Sequence, residues 1–236
     1  MIRDGFYYEK AKFFANENKL DFSGKTCILL ISVGQRYHEI NKLSATIELI
    51  NQYGFKSCEI VVADTLQRHN MLDELKSDKN MLAAKQGQEW IDRNQNILTN
   101  LTVPYTVRRW DEFLGNPKYP QLKCRIRYEY HHNEEYRQAV DSTIELFLER
   151  IKSRDNNLRH ERCLFSNCLE YLLEECPIIM PLWAELGYDY IIYPKKMTNA
   201  MSKTREIFVE NFFPEKAIWL ALKFIKKFKK CPLPEQ

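Results

Sequence analysis

Residues 25–32 read Lys-Thr-Cys-Ile-Leu-Leu-Ile-Ser, a short apolar run that is typical of a β-strand buried on both faces. Residues 39–53 follow with apolar side chains at helical spacing, and Gly54 suits the end of a helix. Residues 57–63 form a second apolar run, Ser-Cys-Glu-Ile-Val-Val-Ala. A strand, a helix and a strand within about forty residues predict a βαβ unit with parallel strands.

Beyond this unit, the spacing of apolar residues predicts further strands and helices. Strands are expected at residues 105–110 and 188–193, and helices at residues 5–19, 66–100, 129–153, 162–175 and 215–230, with a new segment starting at Pro177. Because no repeat and no long linker divides the chain, we expect one domain over residues 1–236. Its predicted class is α/β, with a mostly parallel sheet and flanking helices.

The composition fits a folded globular protein. Of 236 residues, 44% are hydrophobic and 28% are charged, which argues against a disordered chain. No apolar run approaches about 18 residues and the N-terminus has no apolar export segment, so we expect no membrane partner. Seven scattered cysteines, an odd number, favour the reducing cytoplasm over a disulfide framework.

The net charge of +3 is unevenly distributed. Residues 215–230 contain six lysines and one glutamate, a local charge of +5, so the other residues together carry −2. On a helix, these lysines would form either a solvated face or a surface that binds nucleic acid.

Several familiar motifs are absent. No Gly-x-Gly-x-x-Gly occurs, which argues against a dinucleotide site. His160, Cys163 and Cys168 are close in sequence, but no second ligand pair completes a zinc set. Met-Ser-Lys-Thr at residues 201–204 is similar to the lysine signature of class I aminoacyl-tRNA synthetases, but the matching His-x-Gly-His is missing, so ATP activation is not expected. We therefore predict neither a metal nor a cofactor.

Three places carry side chains suited to catalysis. Ser32 ends the first predicted strand beside Gly34, where ligands of open α/β sheets bind and where its hydroxyl could act as a nucleophile. Tyr171 and Glu175 share one helix face and could bind an ammonium group and move protons. Tyr193 ends the last predicted strand, so its phenol would face the same crevice. Taken singly, each also has a purely structural explanation. Ser32 could be a turn residue, Tyr171 and Glu175 an exposed pair before a proline, and Tyr193 an amphipathic residue at a strand end.

Together these segments resemble one family. Residues 28–34, Ile-Leu-Leu-Ile-Ser-Val-Gly, and residues 171–177, Tyr-Leu-Leu-Glu-Glu-Cys-Pro, are similar to the two signature motifs of the cyclodipeptide synthases. Their order and spacing also fit, and the resemblance covers roughly residues 25–230. Three further positions divide the family into branches. Here they are Gln35, Tyr193 and Pro194, which is similar to the branch that has a variable residue at the first position and Tyr-Pro at the other two.

The resemblance implies a Rossmann-like fold similar to the catalytic domain of class I tyrosyl- and tryptophanyl-tRNA synthetases, without their ATP chemistry. It also implies that two aminoacyl-tRNAs are the substrates. In this reaction Ser32 attacks the first ester and becomes an aminoacyl-enzyme, a second aminoacyl-tRNA converts it to a dipeptidyl-enzyme, and cyclisation releases a diketopiperazine.

The resemblance also assigns roles to individual side chains. Tyr171 and Glu175 would hold the amino group of the first aminoacyl moiety, with Glu175 relaying protons. Tyr193 would assist proton transfer during cyclisation, and Tyr119 matches a further tyrosine of the family site. No histidine is an evident base for Ser32, since His38 is six residues on, so activation by the substrate or by a backbone dipole stays open.

The residues that match the family's first side-chain pocket are all apolar, which predicts an apolar first amino acid. They are Ile28, Leu30, Val61, Ala63, Trp110, Ile178 and Ile191, and Gly34, Gln35 and Pro194 are expected beside them. Because Leu30 and Trp110 are bulky, we expect a small first residue such as alanine. Plain core packing is the alternative role for these strand residues.

The family's arginine-rich tRNA-binding helix has no close counterpart here. Residues 79–100 contain only Lys79, Lys85 and Arg93, opposed by Glu89 and Asp92. Candidate tRNA-binding residues lie elsewhere: Arg108, Arg109, Arg125, Arg127, Lys195, Lys196, Lys226, Lys227, Lys229 and Lys230. Two other functions remain open, an inactive synthetase-like tRNA-binding module and an RNA-binding module that uses the basic tail. We expect a monomer, since no exposed apolar heptad appears.

Overall fold

The structure is a computed structural model that describes residues 5–14, 20–71, 76–152 and 161–230. In these ranges six strands form one sheet in the order β1-β6-β5-β2-β3-β4. The strands are β1 (Gly5–Phe13), β2 (Thr26–Ser32), β3 (Ser57–Ala63), β4 (Tyr105–Arg109), β5 (Tyr190–Tyr193) and β6 (Ile218–Lys230). Every neighbouring pair is parallel except β1 and β6, which are antiparallel.

Helices flank the sheet. They are α1 (Ile40–Gln52), α2 (Lys76–Leu98), α3 (Trp110–Leu114), α4 (Tyr119–His132), α5 (Glu134–Lys152), α6 (Glu161–Pro177), α7 (Trp183–Glu185) and α8 (Asn199–Phe208), with 3-10 segments at Arg36–His38 and Thr65–Asn70. The predicted α/β class is confirmed, and so is the βαβ unit formed by β2, α1 and β3. Among the described residues, no helix combines the length and the apolar character needed to cross a membrane.

The sheet divides the core into two layers because successive strand residues point to opposite faces. Cys27, Leu29 and Ile31 pack with α1 and α2 on one side. Ile28 and Leu30 pack with α4, α5, α6 and α8 on the other side. By the same period of two, Ser32 and the β5 residue Tyr193 belong to the α4–α8 side, and this brings them together at the carboxyl ends of neighbouring strands.

Two predicted helices are wrong, because residues 5–13 and 218–230 are strands. The apolar positions of residues 215–230 fit a helical period, but Leu220 and Leu222 also fit a period of two and are buried on one sheet face. β5 and β1 supply the backbone partners that a strand needs. In β1, Ala11 and Phe13 are buried while Lys10 and Lys12 are exposed, which is the alternation of a strand. Residues 15–19 of the first predicted helix lie outside the described residues.

Further boundaries differ from the prediction. The helix expected at residues 66–100 is not continuous, since the 3-10 segment Thr65–Asn70 ends before Met71 and α2 covers Lys76–Leu98. The helix expected at residues 129–153 is two helices, α4 and α5, which meet at Asn133. Pro177 does not start a new segment, because α6 continues through a π-helical turn at Ile178–Leu182 into α7. Since proline lacks the backbone donor of a regular helix, the wider turn accommodates Pro181 within a continuous helical path.

Candidate active site

A cavity of about 220 Å³ opens at the carboxyl ends of β2 and β5. Predicted site residues from β2, α6, β5 and the adjoining loops line it: Leu30, Ser32, Gln35, Tyr171, Glu175, Tyr193, Lys195 and Lys196. Its remaining walls come from α5, α8 and the Thr65–Asn70 segment, through residues that include Gln67, Asn70, Ile144, Phe147, Arg150 and Met201. The cavity therefore lies where the sequence predicts ligand binding.

Ser32 is joined to two tyrosines by hydrogen bonds. Its Oγ lies 3.0 Å from the Tyr193 hydroxyl, which in turn lies 3.0 Å from the Tyr37 hydroxyl. Beyond Ser32 the chain turns at Gly34, whose φ of 82° lies in the left-handed region that favours glycine. This turn brings Tyr37 back over the end of β5. The three hydroxyls form a continuous chain along one wall of the cavity.

The two phenols in this row of hydroxyls, Tyr193 and Tyr37, are neutral around pH 7. Burial raises the pKa of Tyr193, against the hydrogen bonds from Ser32 and Tyr37, which lower it. Burial also raises the pKa of Tyr37, with the adjacent Tyr193 adding to the shift. Neither tyrosine is therefore a standing phenolate base, although each can accept one proton while it donates another.

Tyr171 and Glu175 meet on α6, as their spacing of four residues predicts. The Tyr171 hydroxyl donates to Glu175 Oε1 at 3.3 Å. Burial raises the pKa of Glu175 to about 8, and the neighbouring Glu174 adds to the rise, while the Tyr171 hydrogen bond opposes it. Near neutral pH, this carboxyl exchanges its proton readily. A bound ammonium group would favour its charged form.

Glu174, which no sequence pattern singled out, lies at the centre of a buried polar network. Its carboxylate pairs with Arg68, accepts from Trp110 Nε1 at 3.2 Å and lies 3.3 Å from His69 Nε2. Burial raises its pKa, but His69 and Arg68 outweigh burial and hold the pKa below its usual value. The network ties the Thr65–Asn70 segment, which forms one cavity wall, to the helix that carries Tyr171 and Glu175.

The predicted side-chain pocket is mostly core. Of its seven apolar residues only Leu30 lines the cavity. The other six are fully buried against one another and against the α4–α8 layer: Ile28, Val61, Ala63, Trp110, Ile178 and Ile191. The cavity lining also excludes Gly34 and Pro194.

Tyr119 does not line the cavity either. It is buried at the start of α4, and its hydroxyl has no hydrogen-bond partner among the described residues. Burial raises its pKa, and the nearby charge of Glu174 adds to this rise. The predicted catalytic role of Tyr119 stays a prediction.

The candidate tRNA-binding residues fall into two groups. Lys195 and Lys196 line the cavity, and the Lys195 Nζ lies 5.1 Å from the centre of the Tyr37 ring. Lys226 and Lys227 are exposed on β6, with the Lys226 Nζ 5.8 Å from the Tyr7 ring of β1. Lys229 and Lys230 end β6, and their side chains lie outside the described part of the structure.

Three of the other basic candidates are engaged in ion pairs within the chain. Arg109 pairs with the buried Asp64, and Arg127 pairs with Glu170. Arg108 Nε lies 3.5 Å from Glu59 Oε2. The fourth, Arg125, packs over the Phe208 ring, with its Cζ 5.2 Å from the ring centre. Of the basic candidates whose side chains the structure describes, Lys195 and Lys196 are the two that line the cavity.

The histidine nearest to Ser32 in sequence is not a base for it. His38 is buried, and burial lowers its pKa to about 3, with Lys195 contributing. Its ring packs 5.5 Å from the Tyr193 ring, and its Nε2 has no hydrogen-bond partner among the described residues. His160 lies outside the described residues, within which no group of three potential metal ligands occurs.

Tyr37 was not predicted from the sequence, although it lies in the loop that follows Ser32, where the carboxyl ends of parallel strands place ligands. Its position in this loop is the feature from which a role in the site could have been predicted. Arg68 and Glu174 carried no such signal, because they are separated by 106 residues and meet only through packing of the Thr65–Asn70 segment on α6.

Comparisons with solved structures connect this geometry to known proteins. The chain is similar to a CDPS, a cyclodipeptide synthase, from Fluoribacter dumoffii, with 36% sequence identity, a TM-score of 0.87, and 94% of this chain and 100% of that chain covered. It shares the fold of a cyclodipeptide synthase from Candidatus Glomeribacter gigasporarum bound to Phe-tRNAPhe, at 20% identity and a TM-score of 0.70, over 94% and 96% of the two chains.

A Mycobacterium tuberculosis protein, described as relating cyclodipeptide synthetases to type I tRNA synthetases, also has this fold. It is 15% identical, with a TM-score of 0.64, over 92% of each chain. No protein-family model matches the sequence, and neither does any curated protein.

Proposed function

The chain belongs to the cyclodipeptide synthases, and we propose that it condenses two aminoacyl groups, each delivered as a tRNA ester, into a diketopiperazine. The observation that carries the proposal is the meeting of Ser32, Tyr193 and the Tyr171–Glu175 pair in one cavity. It combines a nucleophile, a proton carrier and a site for an ammonium group. The enzyme is thus an aminoacyltransferase that works by a ping-pong mechanism.

In the first step, the Ser32 Oγ attacks the carbonyl carbon of an aminoacyl-tRNA. A new ester bond forms to Ser32, the bond to the tRNA ribose oxygen breaks, and the Ser32 proton leaves through the Tyr193 hydroxyl. Because the tRNA ester is already activated, the protein's contribution is to position the groups and to handle the proton.

Tyr171 and Glu175 hold the ammonium group of this first aminoacyl moiety. With its pKa at about 8, Glu175 binds an ammonium group as the carboxylate and can also take up a proton. The amine of the aminoacyl group on Ser32 must then be neutral to attack the ester carbonyl of the second aminoacyl-tRNA, and Glu175 is the side chain suited to receive its proton. A new amide bond forms, the bond to the ribose oxygen of the second tRNA breaks, and the product is a dipeptidyl-enzyme.

Cyclisation completes the cycle. The free amine of the dipeptide attacks its own ester carbonyl, the bond to the Ser32 Oγ breaks, and the diketopiperazine leaves. The serine oxygen regains a proton from Tyr193, which lies 3.0 Å away, and Tyr193 takes up the proton that the attacking amine releases. The same hydroxyl pair therefore serves both the first and the last step.

A small apolar residue such as alanine is the proposed first amino acid. Leu30 lines the cavity, and the other six residues matched to the pocket are buried in the core and do not line it, so they add no open space for a longer side chain. For the second amino acid, the cavity offers space along α5, beside Ile144 and Phe147.

The tRNA is proposed to approach along the lysine side of the cavity. Lys195 and Lys196 would neutralise phosphates near the acceptor end, and Lys226 and Lys227 would do so farther along the arm. The enzyme is proposed to act as a monomer. The substrates also imply action in the cytoplasm, where tRNAs are charged.

The test is product formation from defined aminoacyl-tRNAs. Purified protein is incubated with tRNAs charged singly and in pairs, and products are analysed by mass spectrometry. We expect a diketopiperazine that disappears in Ser32→Ala and persists in Ser202→Ala, which removes an exposed serine of α8. Folded wild-type protein without such a product would refute the function, and preference for a leucyl or phenylalanyl donor would refute the alanine assignment.

A further inference from the structure

Tyr37 occupies the outer end of the hydroxyl chain that starts at Ser32. Its hydroxyl lies 3.0 Å from that of Tyr193, and its side chain lines the cavity. Within the described residues, Tyr193 is the hydrogen-bond partner of the Ser32 side chain, and it is not a standing base. A proton that leaves Ser32 therefore needs a further acceptor beyond Tyr193.

We propose that Tyr37 is the last hydroxyl of a proton relay, which carries the Ser32 proton through Tyr193 to the ribose oxygen that leaves in the first acyl transfer. The inference rests on the proposed function. Among the described residues, no histidine or carboxylate is hydrogen-bonded to Ser32, and the relay would explain how this serine is activated.

The relay balances in protons and bonds. As the Ser32 Oγ bonds to the ester carbon, its proton passes to Tyr193, the Tyr193 proton passes to Tyr37, and the Tyr37 proton passes to the departing ribose oxygen. The bond between the ester carbon and that oxygen breaks. Both tyrosines end neutral, each having given one proton and received another, so no phenolate accumulates.

The surroundings of Tyr37 hold its ring in this position. The His38 ring packs edge-on at 4.7 Å, and the Tyr193 ring packs edge-on at 5.9 Å. Above the ring, the Lys195 Nζ lies 5.1 Å from the centroid. A cation of the proposed tRNA-binding group thus lies beside the outer end of the relay, where the leaving ribose must be.

Other side chains of the site are less suited to this role. Glu175 accepts a hydrogen bond from Tyr171, and its proposed partner is the ammonium group of the substrate rather than Tyr193. The His38 Nε2 is buried and bonds neither Ser32 nor Tyr193. Among the side chains that the structure describes, Tyr37 alone combines a hydrogen bond to Tyr193 with a place on the cavity wall beyond it.

The test compares Tyr37→Phe with Tyr190→Phe. The first variant removes the relay hydroxyl and keeps the ring. The second removes a tyrosine hydroxyl from the strand that carries Tyr193, where it donates to the Asp21 carbonyl at 2.9 Å, away from the cavity. Single-turnover formation of the aminoacyl-enzyme is measured with radiolabelled aminoacyl-tRNA, and melting curves verify that both variants fold.

We expect acylation by Tyr37→Phe to be slower by about a hundredfold, the lower range for loss of a positioned proton carrier, while the half-saturating tRNA concentration stays unchanged. Tyr190→Phe should match the wild type. In mixtures of light and heavy water, a plot of the wild-type acylation rate against the deuterium fraction should be curved, because several protons move in the same step. Tyr37→Phe should lose that curvature.

The contrary outcomes separate the relay from the proposed function. Acylation of Tyr37→Phe at the wild-type rate would overturn the relay and leave the proposed function intact. Slower acylation with unchanged curvature would also overturn it, in favour of a packing role for Tyr37. If the wild type forms no aminoacyl-enzyme at all, the proposed function fails and the relay fails with it.

Discussion

The buried carboxyl of Glu175 should make the stability of the enzyme depend on pH. Its pKa rises from an ordinary 4.5 to about 8 in the folded protein, chiefly because burial penalises the charged form. A carboxyl whose folded pKa is raised destabilises the fold above its unfolded pKa, since the unfolded chain releases the proton more easily. The penalty therefore begins near pH 4.5, grows as the pH rises and levels off above pH 8.

The substitution Glu175→Gln removes this titration and keeps an oxygen that can accept from Tyr171. Each unit of pKa difference corresponds to about 1.4 kcal/mol. Taking the difference in unfolding free energy between variant and wild type at pH 4.5 as the reference, we expect that difference to shift in favour of the variant by about 3 kcal/mol at pH 7 and by about 5 kcal/mol above pH 8. The gain should grow by about 1.4 kcal/mol for each pH unit between these limits.

Urea unfolding at a series of pH values measures this difference. Glu48→Gln, which changes an exposed carboxyl of α1, serves as the control and should stay within about 0.5 kcal/mol of the wild type throughout. A stability difference for Glu175→Gln that is constant from pH 5 to pH 8 would refute the reasoning. It would mean that the carboxyl ionises in the folded state as easily as in the unfolded chain.

Three other predictions address the network, the tRNA surface and the pocket. Arg68→Met should destabilise the fold by about 3 kcal/mol in urea unfolding, because it leaves Glu174 charged and buried without its cation, and adding Glu174→Gln should recover part of the loss. Charge reversal at Lys226 and Lys227 should weaken tRNA binding in fluorescence anisotropy and reduce the slope of log affinity against log salt by about one for each phosphate that the variant no longer neutralises. Leu30→Ala should widen the cavity on the sheet side and raise the use of leucyl-tRNA as first substrate in the mass-spectrometric assay.

Each of these has a contradicting result. Equal stability of Arg68→Met and the wild type would show that the ion pair does not hold the Thr65–Asn70 segment on α6. An unchanged salt slope in the lysine variant, matching a Lys79→Glu control on α2, would move the tRNA surface elsewhere. Unchanged donor preference in folded Leu30→Ala would show that this side chain does not set the size of the pocket.

Local sequence patterns were sufficient for the centre of the fold. The apolar runs at residues 26–32 and 57–63 and the helical spacing between them predict the parallel βαβ unit, because each run has the length and composition of a buried strand and the segment between them is long enough for a helix. The pairing of Tyr171 with Glu175 was predictable for the same reason, since four residues on a helix return to the same face.

The strand β6 shows where local pattern fails. In residues 215–230 the apolar side chains satisfy both a period of 3.6 and a period of two, so the sequence permits a helix or a strand. What decides between them is the open hydrogen-bonding edge of β5 and the antiparallel partner β1, neither of which is visible from these residues. The lysines that the sequence assigns to a helix face therefore lie along a two-stranded ribbon.

By itself, the sequence determined the α/β class, the strand end that carries Ser32 and the helix face that carries Tyr171 and Glu175. Only the tertiary structure decided which distant side chains meet: Tyr193 with Ser32 across 161 residues, Tyr37 with Tyr193 across 156, and Arg68 with Glu174 across 106. Periodicity is a property of neighbouring residues, and it reports which way a side chain points. The order of strands in the sheet and the packing of helices on it set what lies opposite, and these depend on interactions throughout the chain.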